Sequence, residues 1–219
     1  EKELAFIDAE YLSNYEKSDA KIEIPLQKPF KAKKYAEKPY AVPEGSVTKD
    51  NTYLSLNFVA GLNTDQELVM ALRVLLEAMI NHESAPLRLA LQEAGIGKDV
   101  RAYVDNSKQN IISIRVQNAN PEDKDQFDKI VYETFEKVVK EGFDAETVEG
   151  ILNRTEFSLR EGNTPQKGMM YAMMTYQGWF FADDPFLGLE YEKPLAAVKE
   201  GIKNGLLEQI VQEHLIDNP

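Results

Sequence analysis

The sequence predicts an α+β fold: a mostly antiparallel sheet covered on one face by helices. Three observations predict it. Residues 51–61 place Leu54, Leu56, Phe58 and Ala60 on one face and Tyr53, Ser55, Asn57 and Val59 on the other, which is the two-residue period of a half-covered strand. Val100, Ala102 and Val104, then Ile112, Ile114 and Val116, alternate with polar neighbours on either side of a turn at 105–110, as antiparallel strands with one wet face do. Residues 64–97, between these strands, carry apolar side chains around most of a helical circumference, the pattern of a helix covered on several sides. The order strand, helix pair, two strands and then a run of helices fits a single α+β unit over residues 1–219.

Taken in order, residues 2–16 repeat Leu4, Phe6, Ile7 and Leu12 at roughly helical spacing, so a surface helix is expected there, with its partner strand upstream. Residues 17–44 hold Pro25, Pro29, Pro39 and Pro43 among lysines. Proline removes a ladder donor, so this is an extended connector ending in an edge strand near 33–41. Thr64 followed by Glu67 reads as a capping box that starts the central core helix. Leu68, Val69, Leu72, Val74, Leu75, Leu76, Met79 and Ile80 fill it. Ser84 is expected to cap a second helix with Pro86 in its first turn, Leu87, Leu91 and Ala94 inward and Gly95 as its stop.

After the two later strands, Asn120-Pro121 starts a helix with Phe127, Ile130, Val131, Phe135, Val138 and Val139 on one face, and Gly142 closes it. Asp144 caps the next, with Phe143 and Val148 as a hydrophobic staple; this helix turns Ile151 and Leu152 inward and ends near 161–163. Residues 165–182, rich in Met and aromatics, read as another buried helix, its side chains adaptable packing material. Pro194 opens a short helix that 201–205 ends, and residues 206–215 begin a last amphipathic one, followed by a cut linker at 217–219.

Composition narrows function by exclusion. At 219 residues and 43% hydrophobic content the chain can build a core without staples. Thirty-seven acidic against 25 basic residues give −12, which opposes nucleic-acid phosphate and anionic lipid, so neither nucleic acid nor membrane is an expected partner. The absence of cysteine excludes disulfides, thiol catalysis and cysteine-ligated metal centres. No window matches a membrane span or a signal segment, and the expected location is cytoplasmic. The chain starts at Glu1, within the first expected helix and without Met, as a piece of a longer polypeptide would.

Chemistry-bearing patterns are sparse. A catalytic zinc needs three protein ligands and an open position, whereas the only imidazoles are His82 and His214. His82 stands at the break between the two core helices beside Glu83, and His214 near the carbonyl end of the last helix. No serine sits in a nucleophile elbow. Gly95-Ile96-Gly97-Lys98 follows a helix instead of a strand and lacks phosphate-loop spacing. Glu122 and Asp123 complement a helix dipole.

The stretch SAPLRLALQEAGIG at 84–97 follows the long apolar helix. Strand, turn, strand and an amphipathic helix come next, and then EGFDAETVEGILNRTEFSLREGN at 141–163. Together they resemble the second domain of presequence-protease-type zinc metallopeptidases in the pitrilysin/insulinase superfamily, over residues 2–215. That resemblance implies a clamshell of four homologous domains closing around a peptide, with zinc held in the first domain by an inverted His-x-x-Glu-His motif and a distant Glu. No such motif occurs in these residues. The implied role is a noncatalytic structural domain, of the pitrilysin/insulinase-type fold, in a zinc-dependent metalloendopeptidase that degrades peptides in a closed chamber. No catalytic, cofactor-binding or metal residue is expected in this chain; zinc is expected in the parent protein. The implied partners are other domains of its own polypeptide and, through the parent, peptide substrates. In such enzymes the fourth domain presents an Arg and a Tyr around a helix followed by glycine. Here Arg88 is similarly placed, but Ile96 follows Gly95, so Arg88 is expected to be structural. Two alternatives remain: a scaffold or assembly domain from an inactive relative of the same fold, and a self-contained enzyme around His82 and Glu83.

Overall fold

The alternating runs form β1 (Thr52–Leu62), β2 (Asp99–Asn106) and β3 (Gln109–Ala119) in a computed structural model that describes residues 1–18, 23–162 and 164–218. Among the described residues they make one antiparallel sheet in the order β1-β3-β2. The register sets Leu56 and Ala102 on either side of Ile114, and Phe58 and Val104 on either side of Ile112. Because side chains alternate between faces, this register collects Leu54, Leu56, Phe58, Ala60, Val100, Ala102, Ile112, Ile114 and Val116 on one buried face.

Helix α2 (Gln66–Leu76) lies in the core that this face helps to form, with Met70, Ala71, Leu72, Val74, Leu75 and Leu76 buried. Its last turn widens into a π-helical segment, Glu77–Asn81, that also buries Met79 and Ile80. The cap is Asp65 and not Thr64: the Asp65 carboxylate accepts from the Leu68 amide at 3.0 Å. Thr64 is used in the turn that leaves β1, and Asp65 has the extended backbone a capping residue needs. Ser84 likewise does not cap α3 (Pro86–Glu93). Ala85 occupies that position without a side-chain bond, and the Ser84 hydroxyl faces His82 Nδ1 at 2.9 Å. Gly95 stops the helix with φ +69°.

A capping box of Asn120 and Asp123 starts the 3-10 turn Pro121–Asp123, which runs into α4 (Lys124–Glu141). Phe127, Val131, Phe135 and Val138 of α4 enter the core, and Phe135 meets Phe58 of β1 edge to face at 6.2 Å. α5 (Ala145–Glu161) is capped by Asp144, which accepts from the Thr147 amide at 2.7 Å. The expected helix end extends to Asn163, which lies outside the described residues.

α6 spans Lys167–Ala182. α7 (Glu192–Ile202) begins two residues before Pro194, which fits in its first turn, and α8 (Leu206–Val211) passes into a π-helical Gln212–Ile216. The tail at 217–218 is tied down: Asn218 donates to the carbonyls of Val59 and His214, each at 2.9 Å. Pro219 of the expected linker lies outside the described residues.

Three further sequence expectations are corrected. The amino-terminal helix is α1 (Lys2–Glu10) plus a 3-10 turn at Leu12–Asn14, shorter than 2–16, and none of its residues is buried. No strand forms at 33–41; residues 19–22 of the connector lie outside the described residues. Pro39 cannot donate to a ladder there. The segment is held instead by side chains, Lys33 pairing with Asp128 and the Tyr40 hydroxyl donating to Asn51 Oδ1 at 2.8 Å. Finally, α6 forms where expected but is not buried. Gly178 alone of its residues is buried, whereas Trp179 is 55% and Phe180 77% exposed. The core is already filled from the sheet, α2 to α5, α7 and α8. The nearly uniform apolarity of α6 gave no sign of which side, if any, would face that core.

Candidate functional site

The most elaborated polar constellation sits where the long helix breaks. The π-helical segment brings Asn81 against the outer edge of β2, which no strand covers among the described residues. Its amide nitrogen donates to the Ala102 carbonyl and its amide oxygen accepts from the Ala102 N–H, both at 3.0 Å. One side chain thus satisfies both outward backbone groups of a nearly buried edge residue. One turn into α3, Arg88 works on the same edge. Its Nε donates to the Ile80 carbonyl at 3.0 Å and an Nη to the Val100 carbonyl at 2.8 Å. Ile80 O is one of the orphan acceptors at the end of the first helix, so the guanidinium joins helix end, α3 and β2. Arg88 is spent on backbone oxygens, and Asn81, which the sequence showed only as a break in an apolar run, is its companion.

His82 and Glu83 do not meet as an acid-base pair: His82 engages Ser84, and Glu83 is exposed. His214 lines a cleft of about 360 Å³ between the start of α2 and the last helices, with Asp65, Glu67, Gln209 and Glu213. Asp65 there is committed to its helix cap. Among the described residues no three His, Asp or Glu side chains gather closely enough to hold a metal ion. Among the described residues, then, no donor set fits a bound zinc ion, and the site that the resemblance implies is assigned to another domain.

The second surface of interest is the sheet face opposite the helices. Tyr53, Ser55 and Asn57 of β1, Ser113 and Arg115 of β3, and Arg101 and Tyr103 of β2 stand on it. They are joined laterally. The Ser113 hydroxyl donates to Asn57 Oδ1 at 2.7 Å, Arg115 donates to the Tyr103 hydroxyl at 2.7 Å, and the Arg115 guanidinium lies 5.4 Å from the centre of the Tyr103 ring. The face offers the Tyr103 hydroxyl, the Asn57 amide and guanidinium groups, with Ser113 buried beneath its partner. The sequence showed its alternation but not these cross-strand partners, which depend on register.

Carboxylates elsewhere serve the scaffold. The side chain of Asn120 donates to Asp50 at 3.1 Å and, with Lys98, holds the Asp50 carboxyl below its ordinary range. Hydrogen bonds from Thr147 do the same for the Asp144 cap, and Lys199, hydrogen-bonded to Glu156, for that residue. No helix among the described residues is long and apolar enough to cross a membrane.

Comparison with known proteins places this geometry. The family described as peptidase M16 inactive domain matches residues 1–155. Protein HypA of Clostridium perfringens is 38% identical over 221 residues, covering 100% of this chain and 23% of that protein. Presequence protease 1 of Arabidopsis thaliana, chloroplastic/mitochondrial, is 28% identical over 222 residues, covering 96% of this chain and 20% of that protein. The chain thus spans about a fifth to a quarter of the length of these relatives. Among solved structures, the inactive peptidase domain of a zinc protease candidate from Bordetella parapertussis superposes with a TM-score of 0.60 at 13% identity, over 74% of this chain and 85% of that one. A protease from Helicobacter pylori gives 0.57 at 12% identity, over 74% of this chain and 38% of that one. At these identities the structural likeness concerns the fold.

Proposed function

The chain belongs to the peptidase M16 inactive-domain family, and from that premise we propose that residues 1–219 are one noncatalytic structural domain of a longer zinc-dependent metalloendopeptidase. It supports the catalytic domain of the same polypeptide and helps to wall a closed chamber in which peptides are degraded. The observation that carries this reading is the family match over residues 1–155 in a chain that spans only 23% and 20% of two relatives. The geometry supports it. The helices back one sheet face, while the other presents Asn57, Tyr103 and Arg115 as a polar wall able to pass peptides of varied sequence. The Asn81 and Arg88 contacts keep that wall rigid by fixing β2 to the helix layer. Zinc belongs to the parent in this reading, and the proposed compartment is the cytoplasm, where a chain with no cysteine is at no disadvantage.

The test is turnover. The purified chain, supplied with zinc and a fluorogenic unstructured peptide, is expected to show no chelator-sensitive hydrolysis. Sustained chelator-sensitive turnover at about 1 s⁻¹ or faster, an ordinary enzyme rate, would overturn the assignment.

A further inference from the structure

Among the described residues nothing covers the outer face of helix α6. None of its side chains belongs to the hydrophobic core or to the partly buried shell packed on it. Its reverse side is already covered by the return segment 184–188: a Cβ on Gly178 would come within 2.7 Å of the Asp184 carbonyl, and one on Gly188 within 2.6 Å of the Met174 carbonyl. These two close approaches fix the helix against its own return. They leave the opposite side, Met169, Met173, Tyr176, Trp179 and Phe180, exposed at 69, 60, 53, 55 and 77%. Side chains of this kind present about 150–250 Å² each, so the face offers on the order of 600 Å² of apolar surface. That is at the upper end of what monomers expose, about 300–600 Å², and approaches the roughly 800 Å² per partner of a stable interface.

We infer that this face of α6 is a permanent docking site for another domain of the same longer polypeptide, an inference that rests on the reading of the chain as one part of a larger peptidase. Two observations select that occupant. Residues 168–182 contain no charged side chain in a chain of net charge −12, and depletion of charge marks the buried centre of a protein–protein interface. A lipid surface would require a row of basic residues beside the apolar face, as interfacial helices have, whereas Lys167 stands alone at the amino end of this one, over the Tyr171 ring, and Asp183 and Asp184 follow it. The relatives, moreover, carry roughly four-fifths of their length outside the region this chain matches, which supplies a partner surface at fixed stoichiometry.

Methionine oxidation in the longer polypeptide tests this directly. The protein is treated with dilute hydrogen peroxide, and sulfoxide formation is followed at each Met by mass spectrometry. Met70 and Met79, 6% and 0% exposed, serve as the protected standards and a free methionyl peptide as the open one. Docking predicts that Met169 and Met173 oxidise at least about tenfold more slowly than the free peptide, independent of protein concentration. It also predicts that the pair Met173→Glu and Phe180→Glu restores fast oxidation at Met169. Oxidation of Met169 and Met173 at the free-peptide rate overturns the inference. Protection that vanishes on dilution points to a second copy, protection that appears only with added unfolded peptide points to a substrate site, and each overturns it equally. Peptide hydrolysis measured on the same preparation separates the two readings. Active enzyme with unprotected methionines sinks the docking face alone, and protected methionines in a protein without peptidase activity sink the functional assignment alone.

Discussion

Replacing Asn81 by Ala tests whether the helix break is an engineered joint of the fold or a passive interruption. The native amide makes two hydrogen bonds of 3.0 Å to Ala102, a residue only 6% exposed, and a weaker one of 3.3 Å to Glu77 Oε1. Two net hydrogen bonds are worth about 1 kcal/mol each, and leaving the Ala102 N–H and C=O poorly solvated adds a desolvation penalty, so the loss is about 2–4 kcal/mol. In a chain of this length that lowers the thermal midpoint by about 5–15 °C. Asn81→Asp is the sharper control. Its carboxylate keeps an acceptor for the Ala102 N–H but turns an oxygen towards the Ala102 carbonyl and sits beside the Glu77 carboxylate. It should therefore be as damaging as Ala at neutral pH and recover relative to Ala on acidification, when the protonated acid can donate again. Chemical denaturation of the parent and both variants across pH measures this. An Ala variant within about 0.5 kcal/mol of the parent, the range of featureless surface sites, would refute the argument. So would an Asp variant as stable as Asn at pH 7.

Other expectations follow from single sites. Gly97 has φ +68°, and a Cβ there would overlap the Val116 side chain and approach the Gln117 carbonyl at 2.7 Å. Gly97→Ala should lose about 2 kcal/mol or more by urea denaturation, since the left-handed conformation alone costs a non-glycine residue about 1–2 kcal/mol. Gly95→Ala, with φ +69° but open space around it, should cost less. Asp50, Asp144 and Glu156 all have carboxyls held below their ordinary range in the fold by Asn120, Thr147 and Lys199. Groups with depressed folded pKa stabilise above their unfolded values and lose that contribution as pH falls through the folded ones. Stability should therefore be flat near neutrality and fall below about pH 4, and Glu156→Gln should flatten the acid limb, as read from denaturant midpoints against pH.

The elements whose two faces differ were legible. Leu54, Leu56, Phe58 and Ala60 announced β1 and its buried side because a period of two admits one register against a core, and Phe127, Val131, Phe135 and Val138 did the same for α4. Asp144 was readable because capping is local. Thr64 and Ser84 misled because backbone conformation, and not side-chain type alone, decides which residue takes the cap position, and it placed Asp65 and the apolar Ala85 there. The missing strand at 33–41 reflects a preference that needs a neighbour to act on, and the prolines left it to side-chain anchors such as Lys33. The α6 helix was visible, but its exposure was not, since apolarity reports what a surface needs and not what supplies it. Arg88 was expected to be structural and Asn81 stood only as a break in an apolar run, but neither showed locally which groups it would bind. Their targets, Ala102 and Val100, are brought near only by the sheet, and the same holds for the pairing of Arg115 with Tyr103.

Zinc titration of the purified chain, with calorimetry read alongside peptide hydrolysis, is the most direct measurement of whether chemistry resides here or elsewhere in the polypeptide. With His82 committed to Ser84 and no cluster of three ligands among the described residues, the account predicts no stoichiometric binding at micromolar zinc and no hydrolysis that follows the metal. One zinc bound per chain, with turnover appearing as it binds and vanishing with chelator, would contradict it.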